Sequence, residues 1–102
     1  MSIRTDSITL GQVGLGTPIL INDNRDPRVA MMCIVTGTIS YDLQYSLNGV
    51  DYMTLKTNAG KTASIDDTLV FPVHSVRVKV NSVSGGSVKL IVRQDDNKFG
   101  SV

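Results

Sequence analysis

Glutamate is absent from this chain and alanine occurs only three times, while Val, Ile, Thr and Ser are abundant. Few strong helix formers remain and residues suited to a pleated surface dominate, so an all-β fold is expected. Tryptophan is also absent and aromatics make up 5% of the chain, which leaves little for stacking on sugars or bases. The lone cysteine, Cys33, excludes an internal disulfide framework and a cysteine-based zinc site. Charge of one sign is missing too. A formal net charge of +1 lacks the basic excess of a general polyanion binder, so nucleic acid is not an expected partner. No stretch approaches the roughly 20 apolar residues that cross a bilayer, and Met1 to Asp6 has no apolar signal core. A soluble protein made in the cytoplasm, with no membrane partner, is the expectation.

What is present reads as one domain. A chain of 102 residues with 41% hydrophobic content buries a modest core, roughly 60–70% of the surface its unfolded form exposes. The clearest pattern spans residues 39–55. Ile39, Tyr41, Leu43, Tyr45 and Leu47 alternate with Ser40, Asp42, Gln44 and Ser46, the period of a half-buried strand. Asn48-Gly49 suits a two-residue type I′ turn, which would pair Leu47 with Val50, Tyr45 with Tyr52 and Leu43 with Thr54. That register keeps the mostly apolar set, including all three tyrosines, on one face.

Elsewhere the organisation follows from punctuation. Residues 1–28 hold two short apolar runs, Ser7 to Leu10 and Thr17 to Ile21, interrupted by Gly11, Gly14 and Gly16. They read either as an extended N-terminal arm or as edge strands. Residues 29–94 read as the core and 95–102 as a C-terminal tail. Arg28 to Thr36 is apolar on both faces, which suits a central strand covered on each side. Gly37-Thr38 is expected to turn the chain, and Pro72 to end a strand near Ser64 to Val70. In Ser75 to Gln94, a three-residue loop at Ser84-Gly85-Gly86 would pair Val80 with Leu90 and Val78 with Val92. About eight short strands without helices predict a single-domain antiparallel β-sandwich, for which jelly-roll topology is one arrangement.

Candidate chemistry is sparse. His74 is the sole histidine and lacks ligand partners at metal spacing, so it reads as a structural or surface residue. Cys33, in an apolar strand, reads as a small buried hydrophobe. Gly11, Gly14 and Gly16 stand in the wrong order for a dinucleotide fingerprint. Asn22, Asn24 and Asp26 alternate like calcium ligands, yet the run lacks the glycine and terminal glutamate of an EF-hand loop and reads as a solvated turn. No catalytic, metal or cofactor site is expected. Two sets of residues read as partner-binding. The glycine-punctuated Ile8, Leu10, Val13 and Leu15, with Ile19, are too many to bury in so short a segment folding on itself. Arg77, Lys79, Lys89 and Arg93 would share one outward face of the last hairpin, with Arg77 opposite Arg93, and an acidic partner would relieve the repulsion. Open sandwich edges also predict a homo-oligomer, dimer or trimer, formed through an edge strand or the N-terminal segment.

Residues 45–52 (Tyr-Ser-Leu-Asn-Gly-Val-Asp-Tyr), 71–80 (Phe-Pro-Val-His-Ser-Val-Arg-Val-Lys-Val) and 85–92 (Gly-Gly-Ser-Val-Lys-Leu-Ile-Val) carry a resemblance. The region from 39 to 94 resembles discoidin-like jelly rolls and the small β-sandwich proteins of tailed-bacteriophage virions, head decoration (cement) proteins above all. The chain departs from discoidin domains in its shortness and in lacking their cysteine pair, tryptophans and long ligand-bearing loops. The virion resemblance implies a non-enzymatic protein on the capsid surface that binds the major capsid protein and stabilises the assembled head. A tail or head–tail junction component and a carbohydrate-binding module are the alternatives.

Overall fold

The computed structural model describes residues 4–21, 28–55, 60–69 and 73–94. Within them the chain is all-β, and one antiparallel sheet holds seven strands. These are β1 (Arg4–Leu10), β2 (Gly14–Leu15), β3 (Ile19–Leu20), β4 (Val29–Ser46), β5 (Tyr52–Thr54), β6 (Ile65–Leu69) and β7 (Ser75–Gln94). The Asn22–Asp26 loop, Phe71-Pro72 and the tail from residue 95 lie outside the described residues.

Two long strands organise everything else. β4 and β7 run antiparallel to each other along nearly their whole length, from Ala30↔Arg93 to Ser46↔Ser75. Both expected turns inside them are therefore corrected. Gly37-Thr38 does not end a strand, and Ser84-Gly85-Gly86 does not close a hairpin. Val80 faces Tyr41 and Val78 faces Leu43, while Leu90 faces Cys33 and Val92 faces Met31. Each arm of β7 finds its partner in β4, which is long enough to serve both.

The glycines bend the pair instead of breaking it. Gly37 and Gly85 have φ of 73° and 68°, and Thr38 faces both Ser84 and Gly85, a β-bulge with a glycine in the left-handed region. A second irregularity lies between Ser40 and Tyr41. From Val35↔Val88 to Tyr41↔Val80, β4 advances six residues and β7 eight. Unequal lengths on paired strands force curvature. The sheet therefore folds over itself as two layers.

The first layer is ordered β6, residues 29–36 of β4, residues 87–94 of β7, β1. The second is β5, residues 39–46 of β4, residues 75–82 of β7, then β2 and β3. Inward residues of both layers, among them Val29, Met31, Cys33, Tyr41, Leu43, Val76, Val78, Val88, Leu90 and Val92, form one buried cluster. Alternate outward residues of the first layer, Ala30, Met32, Ile34, Lys89 and Arg93, stay wet. This corrects the reading of residues 28–36 as covered on both sides, because Met32 and Ile34 remain 48% and 38% exposed.

Between the layers the 60–65 segment ties the bend. Lys61 exchanges both backbone hydrogen bonds with Tyr41, at 2.9 and 2.7 Å. The Tyr41 hydroxyl donates to the Ala63 carbonyl at 2.8 Å, and the Val35 amide donates to Ser64 Oγ at 2.9 Å.

Candidate functional site

The expected cationic stripe is not formed. Arg77 and Lys79 lie on the second layer opposite Gln44 and Asp42, and Lys89 and Arg93 lie on the first, opposite Ile34 and Ala30. Arg77 never faces Arg93, since the hairpin that would have paired them does not exist. The N-terminal residues also separate. Ile8 and Leu10 sit on β1 opposite Leu90 and Val88 and pack against the core. Ile19 is in the core, whereas Val13 and Leu15 project outward at 63% and 59% exposure.

Arg77 is anchored by neighbours the sequence did not reveal. Its guanidinium lies 3.7 Å from the centroid of the Tyr52 ring, and its Nε donates to Gln44 Oε1 at 2.8 Å. Gln44 Nε2 in turn donates to Thr54 Oγ1 at 3.2 Å. The Tyr52 hydroxyl and Ser75 Oγ share a 2.7 Å hydrogen bond, and Ser75 Oγ lies 3.1 Å from His74 Nδ1. On the same face Asp42 Oδ1 accepts from Asn81 Nδ2 at 2.9 Å and from the Gly60 amide at 2.6 Å. The outer face of the second layer thus carries two polar clusters, the larger with a cation over an aromatic ring.

The larger cluster requires Tyr52 on the outer side, which corrects the predicted hairpin. Tyr52 pairs with Ser46, Met53 with Tyr45 and Thr54 with Gln44. The loop is therefore Leu47 to Asp51, five residues instead of two, and Tyr45 and Tyr52 face opposite ways. A type I′ turn needs positive φ at both central residues. Only Gly49 has it here, with φ of 80°, and no non-glycine among the described residues does.

Side chains hold the longer loop. Ser46 Oγ accepts from the Asn48 and Gly49 amides at 3.3 and 2.8 Å. Asn48 Oδ1 accepts from the Val50 and Asp51 amides at 2.9 and 2.8 Å, and Asn48 Nδ2 donates to Asp51 Oδ2 at 2.8 Å. The His74 ring covers Gly49, where an added Cβ would lie 2.6 Å from Cε1. Loop amides that water could satisfy are instead held by protein, so the tip has a defined shape. It nevertheless presents Leu47 and Val50 at 66% and 79% exposure, beside Met53 of β5 at 64%. The expected register pairs Leu47 with Val50 on the core face, whereas the five-residue loop leaves both unpaired and exposed.

The outer face of the first layer differs. Met32 and Ile34 on β4 adjoin the half-buried Ile91 on β7. Asp66 flanks Met32 on the β6 side, while Lys89 and Arg93 flank Ile91 along β7. None of these three charges has an ion pair or hydrogen bond among the described residues.

Inside, Cys33 and Tyr41 touch. Burial pushes the Cys33 thiol up to about 12, opposed by its hydrogen bond with the Tyr41 hydroxyl. Burial likewise raises Tyr41, reinforced by the neighbouring Cys33. Cys33 is therefore a protonated core group at neutral pH, a poor nucleophile. Among the described residues no three His, Cys or Asp side chains converge as metal ligands.

No protein-family model matches the chain, and no curated protein matches it either. Among solved structures, one of Bacillus endospore appendages, described as forming a novel family of disulfide-linked pili, is similar at 17% identity and a TM-score of 0.44. The match covers 92% of this chain and 88% of that chain. A likeness this shallow carries no argument about function.

Proposed function

We propose that this chain is a non-enzymatic structural protein of a virus particle, a decoration protein on the head of a tailed bacteriophage. The observation that carries the reading is the β4–β5 tip, an ordered loop that holds Leu47 and Val50 out in solvent beside the exposed Met53 of β5. Exposed apolar side chains on a loop fixed by its own hydrogen bonds suit docking, because little conformational freedom is lost on contact. The resemblance of residues 39–94 to cement proteins supplies the partner, the major capsid protein of an assembled shell. Occupancy of many equivalent sites would stabilise that shell by binding linkage.

A sugar-binding role has weaker support. Tyr41 is fully buried, and one face of Tyr52 is covered by Arg77, so neither offers an open platform. The test is co-sedimentation of the purified chain with assembled capsid shells, alongside a Leu47→Ser/Val50→Ser variant. Burying two such side chains contributes about 1.5–3 kcal/mol each. The variant should lose at least about tenfold in affinity and keep its melting temperature. A chain that binds no shell, or that labels tails only, overturns the reading.

A further inference from the structure

We propose that this protein forms a two-fold dimer through the outer face of the first layer, with a second copy of the chain as the occupant. The inference is independent of the capsid reading and stands on three observations.

First, the edges of the first layer are blocked against strand addition. β1 and β6 border the first layer, and each carries a central aspartate on its inward side, Asp6 opposite Val92 and Asp67 opposite Met31. Each carboxylate takes up the next backbone amide of its own edge: Ser7 N–H donates to Asp6 Oδ1 at 2.9 Å, and Thr68 N–H to Asp67 Oδ1 at 2.8 Å. An inward-pointing charge is a recognised block on edge pairing, and the occupied amide adds to it. This argues against the edge-strand oligomer expected from sequence. On this layer a partner must use the face.

Second, the face holds an apolar strip, Met32, Ile34 and Ile91, on the middle two strands. On the second layer the same two middle strands carry the Arg77–Tyr52–Gln44 network instead, and the exposed Leu15 and Leu20 lie on the short edge strands β2 and β3.

Third, the charges around the strip are arranged to match a copy of themselves. β6 and β7 flank β4 on opposite sides, and Asp66 and Ile91 share the row of Met32. Lys89 and Arg93 lie two residues to either side of Ile91, about 6.7 Å along the strand. A two-fold axis along β4 at Met32 exchanges the β6 side of one copy with the β7 side of the other. Met32 then meets its own symmetry mate, and Asp66 lands between the partner's Lys89 and Arg93. Both contacts form at once, as an isologous interface demands. Aligned sheet packing tolerates such an arrangement with strands within about 30°. A partner of uniform charge would satisfy only one side of the strip, which favours a second copy.

The test is analytical ultracentrifugation of the full chain with a charge-swap pair. Wild type should sediment as a dimer, and Met32→Asp should weaken self-association by about tenfold or more with an unchanged circular dichroism spectrum. Asp66→Lys alone, and Lys89→Glu/Arg93→Glu alone, should each be monomeric through like-charge repulsion. Mixed, they should form a heterodimer, because both contacts then pair opposite charges. A wild type that stays monomeric at its highest soluble concentration overturns the proposal. So does a mixture of the two charge variants that fails to associate, or a dimer that Met32→Asp leaves intact.

Discussion

The two layers of this sheet are built from the same two strands and share one core, yet their outer faces differ. On the second layer a set of polar side chains is mutually satisfied: Arg77 has Tyr52 and Gln44, Asp42 has Asn81, and Ser75 has Tyr52, while Lys79 is exposed. On the first, Lys89, Arg93 and Asp66 surround exposed Met32 and Ile34 without pairing among the described residues. A face whose polar groups are satisfied internally has little to offer a partner and contributes to stability. A face with apolar area and unpaired charges contributes little to the monomer and much to association. The distribution of satisfied polar groups thus separates the face that maintains the fold from the face available for binding.

The seam between the layers is where the comparison breaks most violently. A Cβ at Gly86 would lie 2.6 Å from the Thr38 carbonyl oxygen and 2.7 Å from its amide nitrogen, and one at Gly37 would lie 2.5 Å from the Gly85 oxygen. The obstacles are backbone atoms of the paired strand and cannot rotate away. Gly37 also has positive φ, which strains a β-branched residue further. Gly37→Val and Gly86→Val should each destabilise by about 3 kcal/mol or more, enough to unfold a small domain or prevent its expression. Gly85, also at positive φ, meets nothing within 4 Å. Gly85→Ala should cost only the conformational strain, about 1–2 kcal/mol. Urea unfolding of the three variants checks the order, and a Gly86→Val protein as stable as wild type would refute the continuous bent strand.

A second prediction probes the core that joins the layers. Cys33 belongs to the first and Tyr41 to the second. In the unfolded chain the thiol ionises near its ordinary value of 9.0, whereas burial holds it to about 12 in the native protein. Between those values the unfolded state releases a proton that the native state keeps. Stability is therefore undiminished below pH 9 and falls as pH rises towards 12, by up to about 1.4 kcal/mol per pH unit. Tyr41, also raised by burial, adds to the loss above its ordinary value of 10.0. Cys33→Ala should flatten the decline between these two onsets, as chemical denaturation at stepped pH would show. Native Cys33 should also resist alkylating reagents at pH 8 and react once the protein is unfolded.

How far the sequence could be read depended on whether a pattern was local. Alternation placed Tyr41, Leu43, Val78, Val80, Leu90 and Val92 inward, and all six are in the core. The glycine at a bulge was legible too, because Gly85 is the residue that left-handed φ selects. Which strand each arm pairs with was not. Gly37-Thr38 and Ser84-Gly85-Gly86 look the same locally whether they close a hairpin or bend a strand, and only the pairing of β4 with β7 along nearly their whole length decides it. The hairpin register failed for a different reason. Asn48-Gly49 matches a two-residue turn, but Ser46 Oγ and Asn48 Oδ1 capture four loop amides and stabilise a longer one. That slip alone turned Tyr52 outward beneath Arg77 and hid the polar network. The unpaired face was equally hidden, since an apolar residue such as Met32 reads as core until its side of the sheet is known to be open.

The finest test sets Arg77 against Arg93, two arginines on one strand that the layers treat in opposite ways. Arg77 is half-buried, donates to Gln44 and covers the Tyr52 ring. Its removal exposes that ring and leaves the Gln44 oxygen short of a donor, so Arg77→Ala should destabilise the protein by about 1–2 kcal/mol. Lysine should rescue little of this, because an ammonium cannot combine a planar contact on the ring with a fixed donor to Gln44. Arg93 is exposed and has no such partner, so Arg93→Ala should change the stability of dilute protein by less than about 0.5 kcal/mol. Self-association should report the reverse. Arg93→Ala removes one of the two cations that would bracket Asp66 of a second copy and should weaken the dimer in low salt, whereas Arg77→Ala should leave it unchanged. Thermal melts of dilute samples and sedimentation of concentrated ones would measure the two quantities separately. If both arginines shift stability alike, or if Arg77 governs association, the division between a structural face and a binding face fails.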